Sequence, residues 1–163
     1  MNFRDATAAD VEQLAALKAA AAADLTARFG EGPWSKPGPT RAESPSPFLR
    51  LRLGCERGRI VSALRLQTKK PWAIDVSYFT PVERPLYLTG MVVAVGGQGR
   101  GHGRAALADA DAIARAWPAN AIRLDAYDAA AGAGAFYLRC GYAERGHVRY
   151  KGNPLVYYER VLG

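Results

Sequence analysis

The most constraining stretch of this chain is an abrupt change of pattern near its middle. Leu86 to Val95 is a nearly continuous apolar run, Gly96 to Gly103 carries five glycines, and Arg104 to Trp117 returns to helical spacing rich in alanine. A short apolar run bounded by turn residues is the pattern of a central strand buried on both faces. The order is therefore strand, glycine loop, helix. Free amides at a helix N-terminus point outward, and the helix dipole favours an anion there. Glycines let the backbone approach a phosphate closely, and Arg100 and Arg104 add charge that can pair with phosphate oxygens. The segment implies a phosphate-bearing ligand held at the start of a helix.

The rest of the chain supplies the elements around that loop. Residues 5–29 read as a first helix: Thr7 and Asp10 have capping-box spacing, Val11, Leu14, Leu17, Lys18 and Ala21 repeat at helical spacing, and Gly30 ends it. Residues 30–47 hold five prolines and form a loop, placed as a lid on the substrate side, with a short helix expected near 40–50. Leu49 to Glu56 and Ile60 to Gln67 alternate as two strands joined by a turn at Arg57-Gly58. A connector over 68–85 carries Trp72, Tyr78 and Phe79. Beyond the central helix come a strand over Ala121 to Ala126 and a short helix over Ala133 to Arg139. Two last strands, Ala143–Tyr150 and Leu155–Val161, close the chain. The expectation is an α/β fold in one domain over 1–163, a mixed sheet flanked by helices.

Composition narrows the function classes. The chain has 163 residues, 49% hydrophobic and 23% charged, ordinary for a globular protein with a real core. No run approaches the length of a membrane span, and Met1-Asn2-Phe3-Arg4-Asp5 lacks the layout of a signal peptide. Two cysteines, Cys55 and Cys140, make neither a secreted disulfide framework nor a CxxC metal site, and a reducing cytoplasm is the expected compartment. Two isolated histidines, His102 and His147, do not make a zinc site; His102 is expected in solvent, His147 packed or in solvent, and Cys140 buried. The net charge of +7 admits nucleic acid or a polyanionic ligand. No basic tract with interleaved aromatics is present, so neither nucleic acid nor membrane is expected as a partner.

Three phosphate-loop patterns compete. A P-loop needs Lys and Ser/Thr after its last glycine, and Gly103-Arg104-Ala105 stands there. Gly101, Gly103 and Ala106 satisfy a G-x-G-x-x-A dinucleotide fingerprint, with Asp125 about twenty residues on, but too little chain follows for further βα units. The third pattern is Q/R-x-x-G-x-G/A, filled by Gln98, Gly101 and Gly103, with Val93 five positions before the Gln. A second pattern, A-x-x-F/L-Y-x-x-x-G-F/Y, is filled downstream by Ala133, Phe136, Tyr137, Gly141 and Tyr142. Together these resemble the two signature motifs of the GNAT family of N-acetyltransferases, in the family's element order.

That resemblance implies a mostly antiparallel sheet of about six to seven strands with splayed central strands, and acetyl-CoA as cosubstrate. The backbone of Met91, Val92 and Val93 would hold the pantetheine arm. Gln98 belongs to the loop motif, and the amides of Gly99, Arg100, Gly101, His102, Gly103 and Arg104 would hold the pyrophosphate. Tyr137 would serve the leaving thiolate as proton donor or hydrogen-bond partner, a phenol with pKa near 10 being suited to that role. The acceptor implied is a primary amine of a small molecule, and a homodimer is in keeping with the family. Two positions depart from the family pattern. Thr89-Gly90-Met91 lacks the usual carboxylate on the strand, and Ala130 replaces an Asn that touches the cofactor arm. The general base therefore stays open among Asp75, Glu83, Asp125 and Asp128. Trp72, Tyr78, Phe79, Tyr87 and Tyr127 are candidates to line an acceptor pocket. A non-catalytic acyl-CoA-binding module is the alternative.

Overall fold

The computed structural model describes residues 1–97 and 99–163. Its sheet has the order β1-β2-β3-β4-β5-β7-β6, with β1 at Asn2–Asp5, β2 at Leu49–Glu56, β3 at Arg59–Gln67, β4 at Pro85–Val93, β5 at Ala121–Tyr127, β6 at Ala143–Tyr150 and β7 at Asn153–Val161. Helix α1 spans Val11–Phe29, α2 spans His102–Ala116 and α3 spans Gly134–Arg139. Neighbouring strands are antiparallel except β4 and β5, which are parallel.

Alternation along the strands divides the core between the two faces. On one face Leu64, Leu66, Leu86, Leu88, Ile122 and Leu124 pack against Ala106, Leu107, Ala110 and Ala114 of α2 and Tyr137 and Tyr142 around α3. Ala110 and Ala114 are fully buried, because only a methyl group separates α2 from the sheet. On the other face Leu14 of α1 covers Leu51, Leu53, Ile60 and Ala63. Further along that second face the connector lays Ile74 and Phe79 over Tyr87 and Tyr157. Buried Arg123 fastens the connector there, donating to Tyr87 Oη at 3.0 Å and to the Thr80 carbonyl at 2.8 Å. Buried Glu159 accepts from the Thr80 amide at 3.2 Å and from its hydroxyl.

Three sequence expectations are corrected. The segment 5–29 is not one helix: Asn2–Asp5 is an edge strand paired with Arg52 to Cys55, and α1 begins only at Val11, after a 3-10 turn at Ala8–Asp10. Four residues are too few to show a period, and their partner lies some fifty residues away. The Thr7–Asp10 spacing does mark the helix start, with the Thr7 amide donating to Asp10 Oδ2 at 2.7 Å. No helix forms near 40–50, where residues 40–45 are irregular; Pro45 and Pro47 remove donors and restrict the residues before them. Finally, β4 is buried on both faces only over Leu86–Leu88, and Thr89–Val93 are partly open. No helix among the described residues is long and apolar enough to cross a membrane.

Candidate active site

The opening in β4 has two causes in the sheet. First, β4 and β5 pair only through Pro85–Ala121, Leu86–Ile122 and Tyr87–Arg123, then diverge, so the remainder of each strand borders a gap. Second, β4 carries a bulge. Arg65 of β3 faces Thr89, yet Ala63 faces Val92, so Leu64 stands opposite both Gly90 and Met91. Gly90 has φ of 60°, a conformation that a side chain makes costly and glycine does not. The extra residue changes which way the strand points. Leu88 and Met91, three apart, both face the α2 side, while Val92 joins the α1 side. In a regular strand Met91 would turn to the opposite face.

That turn brings Met91 to Tyr137. The phenol donates toward Met91 Sδ at 3.6 Å. Its ring lies 5.7 Å from that of Tyr142 and 5.8 Å from that of Tyr158 on β7, so Tyr137 reaches across the gap from the β7 side to β4. It is 6% exposed. Burial first, then the nearby charge of Asp125, pushes its hydroxyl well above the ordinary phenol range, and the group stays protonated throughout the neutral range.

The glycine loop sits at the end of the same gap. Gly96, Gly99 and Gly101 have φ of 85°, 82° and 83°, and a Cβ built on any of them meets nothing within 4 Å. The open side is thus a cradle that side chains would fill, at the N-terminus of α2, where anions are favoured. Arg100 is exposed beside it. Arg104 donates to the Arg139 carbonyl at 3.3 Å, tying α2 to the end of α3. Gly103 is needed for packing, since a Cβ there would lie 2.9 Å from Phe136 Cζ. Gln98 lies outside the described residues. His102 corrects its sequence reading: it is 8% exposed, and its Nε2 meets Glu56 Oε2 at 2.8 Å. As the first residue of α2 it turns its ring under the loop against Gly97. Cys140 is half-buried at the end of α3. His147 is exposed between Asp128 and Glu144, which hold its imidazole above the usual range, the Asp128 hydrogen bond contributing most.

The four carboxylates left open by the sequence now separate. Asp75 accepts from the Ser77 amide and hydroxyl at 3.0 and 2.7 Å, at the surface of the connector. Glu83 is 90% exposed beside Arg84. Asp128 is engaged with His147 at 3.0 Å. Asp125 differs: among the described residues it has no hydrogen-bond partner, and burial pushes its carboxyl above the usual range. Burial raises the phenols of Tyr127, Tyr137 and Tyr157, and the charge of Asp125 adds to each. Two residues past the last β4–β5 pair, Asp125 lies across the gap from Thr89, on the face opposite α2. Ala130 is exposed in the turn before α3.

Of the candidate aromatics, Phe79 and Tyr87 belong to the buried cluster under the connector, and Tyr127 meets Trp34 edge-on at 5.8 Å. Trp72 and Tyr78 line an open groove of about 390 Å³ between the connector and the β6–β7 hairpin, with Tyr157 in its wall.

A bulged, half-open central strand, a glycine cradle on the following helix and a tyrosine reaching across the gap thus stand together at one place in the sheet. The Acetyltransferase (GNAT) family model matches residues 19–142. The chain belongs to this family. The same fold recurs in the GNAT domain of S. lividans PAT, with 17% identity and a TM-score of 0.73 over 98% of this chain and 89% of that one. It recurs in ribosomal-protein-alanine N-acetyltransferase from Brucella melitensis, with 18% identity and a TM-score of 0.67 over 99% and 100%. An aminoglycoside 6'-N-acetyltransferase complexed with coenzyme A matches with 13% identity and a TM-score of 0.67 over 99% and 97%. No curated protein sequence matches the chain. Membership carries the acetyl-CoA expectation with it, since acetyl transfer from that donor is the chemistry of the family.

Three features of the site have no local sequence signature: the Gly90 bulge, the Tyr137–Met91 contact, and an ion pair between Arg65 and Glu43 at 2.8 Å on the α1 face.

Proposed function

We propose that the protein is an acetyl-CoA-dependent N-acetyltransferase that uses direct attack by a primary amine of a small molecule. The observation that carries this reading is the gap between β4 and β5, with the glycine cradle at one end and Tyr137 and Asp125 along it.

When bound, acetyl-CoA supplies a thioester carbonyl as electrophile and a thiolate as leaving group. The backbone of Met91, Val92 and Val93, which borders the gap, holds the pantetheine arm as an added strand would. Amides from Gly99 to Arg104 hold the pyrophosphate, with the Arg100 side chain as counter-charge. Tyr137 donates a hydrogen bond to the leaving sulfur. It does not transfer the proton fully, because its phenol is raised above 10, whereas a thiol ordinarily titrates near 8.5. Asp125 takes the proton of the acceptor ammonium, and its raised carboxyl brings it nearer the pKa of an effective base at neutral pH. Thr89-Gly90-Met91 offers no carboxylate on β4, which is the observation favouring a non-catalytic acyl-CoA-binding module as second reading.

Calorimetry with acetyl-CoA and with CoA, followed by CoA release over an amine panel, tests the proposal. Binding plus amine-dependent release is expected. Binding without release over the whole panel favours the second reading, and no binding of either ligand at millimolar concentration overturns both.

A further inference from the structure

The face opposite α2 carries a row of functional groups across four strands. Arg65 of β3 is paired with Thr89 of β4, and Thr89 lies across the open gap from Asp125 of β5, itself paired with Tyr157 of β7. Cross-strand neighbours share a face, so a guanidinium and a carboxylate flank the reaction centre from opposite sides. With strands about 4.8 Å apart, the two backbone positions are about 10 Å or more from one another, the scale of a small zwitterion held between two charged side chains.

The cationic end of the row is incompletely matched. Arg65 Nη2 donates to Glu43 Oε2 at 2.8 Å, and Glu43 comes from the irregular 40–45 segment, not from the sheet. Arg65 Nε is buried and has no acceptor among the described residues. A guanidinium normally meets a carboxylate through two parallel N–H donors, and the Nε–Nη2 edge of Arg65 has only one of them used. Lys18 of α1 stands nearby, its amine donating to the Gly38 and Pro39 carbonyls at 3.5 and 3.4 Å. Burial and the charge of Arg65 push its amine below the usual range. Arg41 adds its charge at Glu43. Two cations thus act on the loop carboxylate of Glu43, and Lys18 stands beside one of them, Arg65.

Resting on the transfer reading above, we propose that the acceptor is an amino acid or a similar amino-carboxylate. Its carboxylate takes the Nε–Nη2 edge of Arg65 in place of Glu43, beside Lys18, and its amine lies at Asp125. Glu43 is then a loop carboxylate that occupies the acceptor subsite until the acceptor displaces it.

The test is CoA release at saturating acetyl-CoA with matched acceptors, namely a panel of amino acids, their α-amides and the corresponding decarboxylated amines. Acids should exceed their amides in kcat/KM by about 10- to 100-fold, the worth of a charge-assisted pair. Arg65→Gln should collapse that ratio through the KM of the acid, and calorimetry with CoA reports whether the variant is intact. Glu43→Gln, a change on an irregular segment, should lower the KM of the acids. Equal kcat/KM for acids and amides, or a ratio that survives Arg65→Gln, overturns the acceptor class and leaves acetyl transfer standing. Absence of release with every amine, in protein that binds acetyl-CoA, overturns the transfer reading and this assignment with it.

Discussion

Replacing Tyr137 by Phe separates the hydroxyl from everything else the residue does. The ring keeps its contacts with Phe136, Tyr142 and Tyr158, and only the O–H···S contact to Met91 at 3.6 Å is lost. Sulfur is a weak acceptor, so the fold should lose at most about 1 kcal/mol, or about 2–4 °C in Tm for a chain of this size. The effect on turnover should be far larger. A donor aimed at charge that develops in the transition state contributes about 2.7–4 kcal/mol, or 10²–10³ in kcat. Turnover followed by a thiol-reactive dye should therefore fall about 100-fold or more, while calorimetry returns an acetyl-CoA affinity close to wild type, the pattern of an interaction made only in the transition state. Because burial and Asp125 raise the phenol, it remains a donor at higher pH than an ordinary tyrosine. Wild-type kcat should show no tyrosine-dependent decline near pH 10. A variant kcat within threefold of wild type, or a loss of affinity equal to the loss of rate, would refute the role.

Three further perturbations have signed outcomes. Asp125→Asn should abolish most turnover yet raise Tm at neutral pH. The folded carboxyl titrates above its unfolded value, so stability declines as pH rises through the raised pKa, and the gain from Asn should vanish in acid; thermal melts across pH check this. Asp10 shows the opposite sign. Held at about 2 by Arg4 first, it contributes about 1–2 kcal/mol after allowance for the exposed Arg4, present above about pH 4 and lost as pH falls through 2; Asp10→Asn should remove that acid dependence from denaturant midpoints. Gly90→Ala has space for its Cβ, the nearest atom being Arg65 Nη1 at 3.7 Å, so its cost of about 1–2 kcal/mol comes from φ of 60° alone. Relaxation of the bulge should weaken CoA binding in calorimetry, and unchanged affinity together with unchanged stability would count against the bulge as a determinant of the site.

What the sequence makes legible is whatever repeats or turns locally. The β2–β3 hairpin shows in alternating residues and in Arg57-Gly58, both at positive φ; α2 shows in its alanine spacing and α3 in its motif. What stays hidden depends on segments far apart in the chain. Strand β1 exists because β2 offers an edge. His102 has no local reason to be buried, and it is buried because the loop folds back over the ring. The four carboxylates look equivalent in sequence because each is one acidic residue near a turn or strand end. Only the covering chain sets them apart, with Ser77 on Asp75, His147 on Asp128 and no partner on Asp125 among the described residues.

The apolar run of β4 has the pattern of one buried strand, and the structure divides it at a single event, the parting of β5 after Tyr87 and Arg123. Up to that point Leu86 and Tyr87 are buried within a continuous sheet. Beyond it, β4 borders a gap in the interior of the sheet, and backbone groups facing a gap need partners from water or ligand. In the proposed function an extended donor arm would supply them. The same parting accounts for Asp125. Were the parallel register continued, Thr89 would stand beside Asp125, and its hydroxyl could satisfy the carboxylate across a closed sheet. With the strands apart, the carboxylate is enclosed yet unpaired, which is why burial alone sets its pKa. The open strand edge and the unpaired carboxylate are therefore not two separate features. The glycine loop follows where β4 ends, and both the exposed edge and the unpaired carboxylate arise from one interrupted strand pairing.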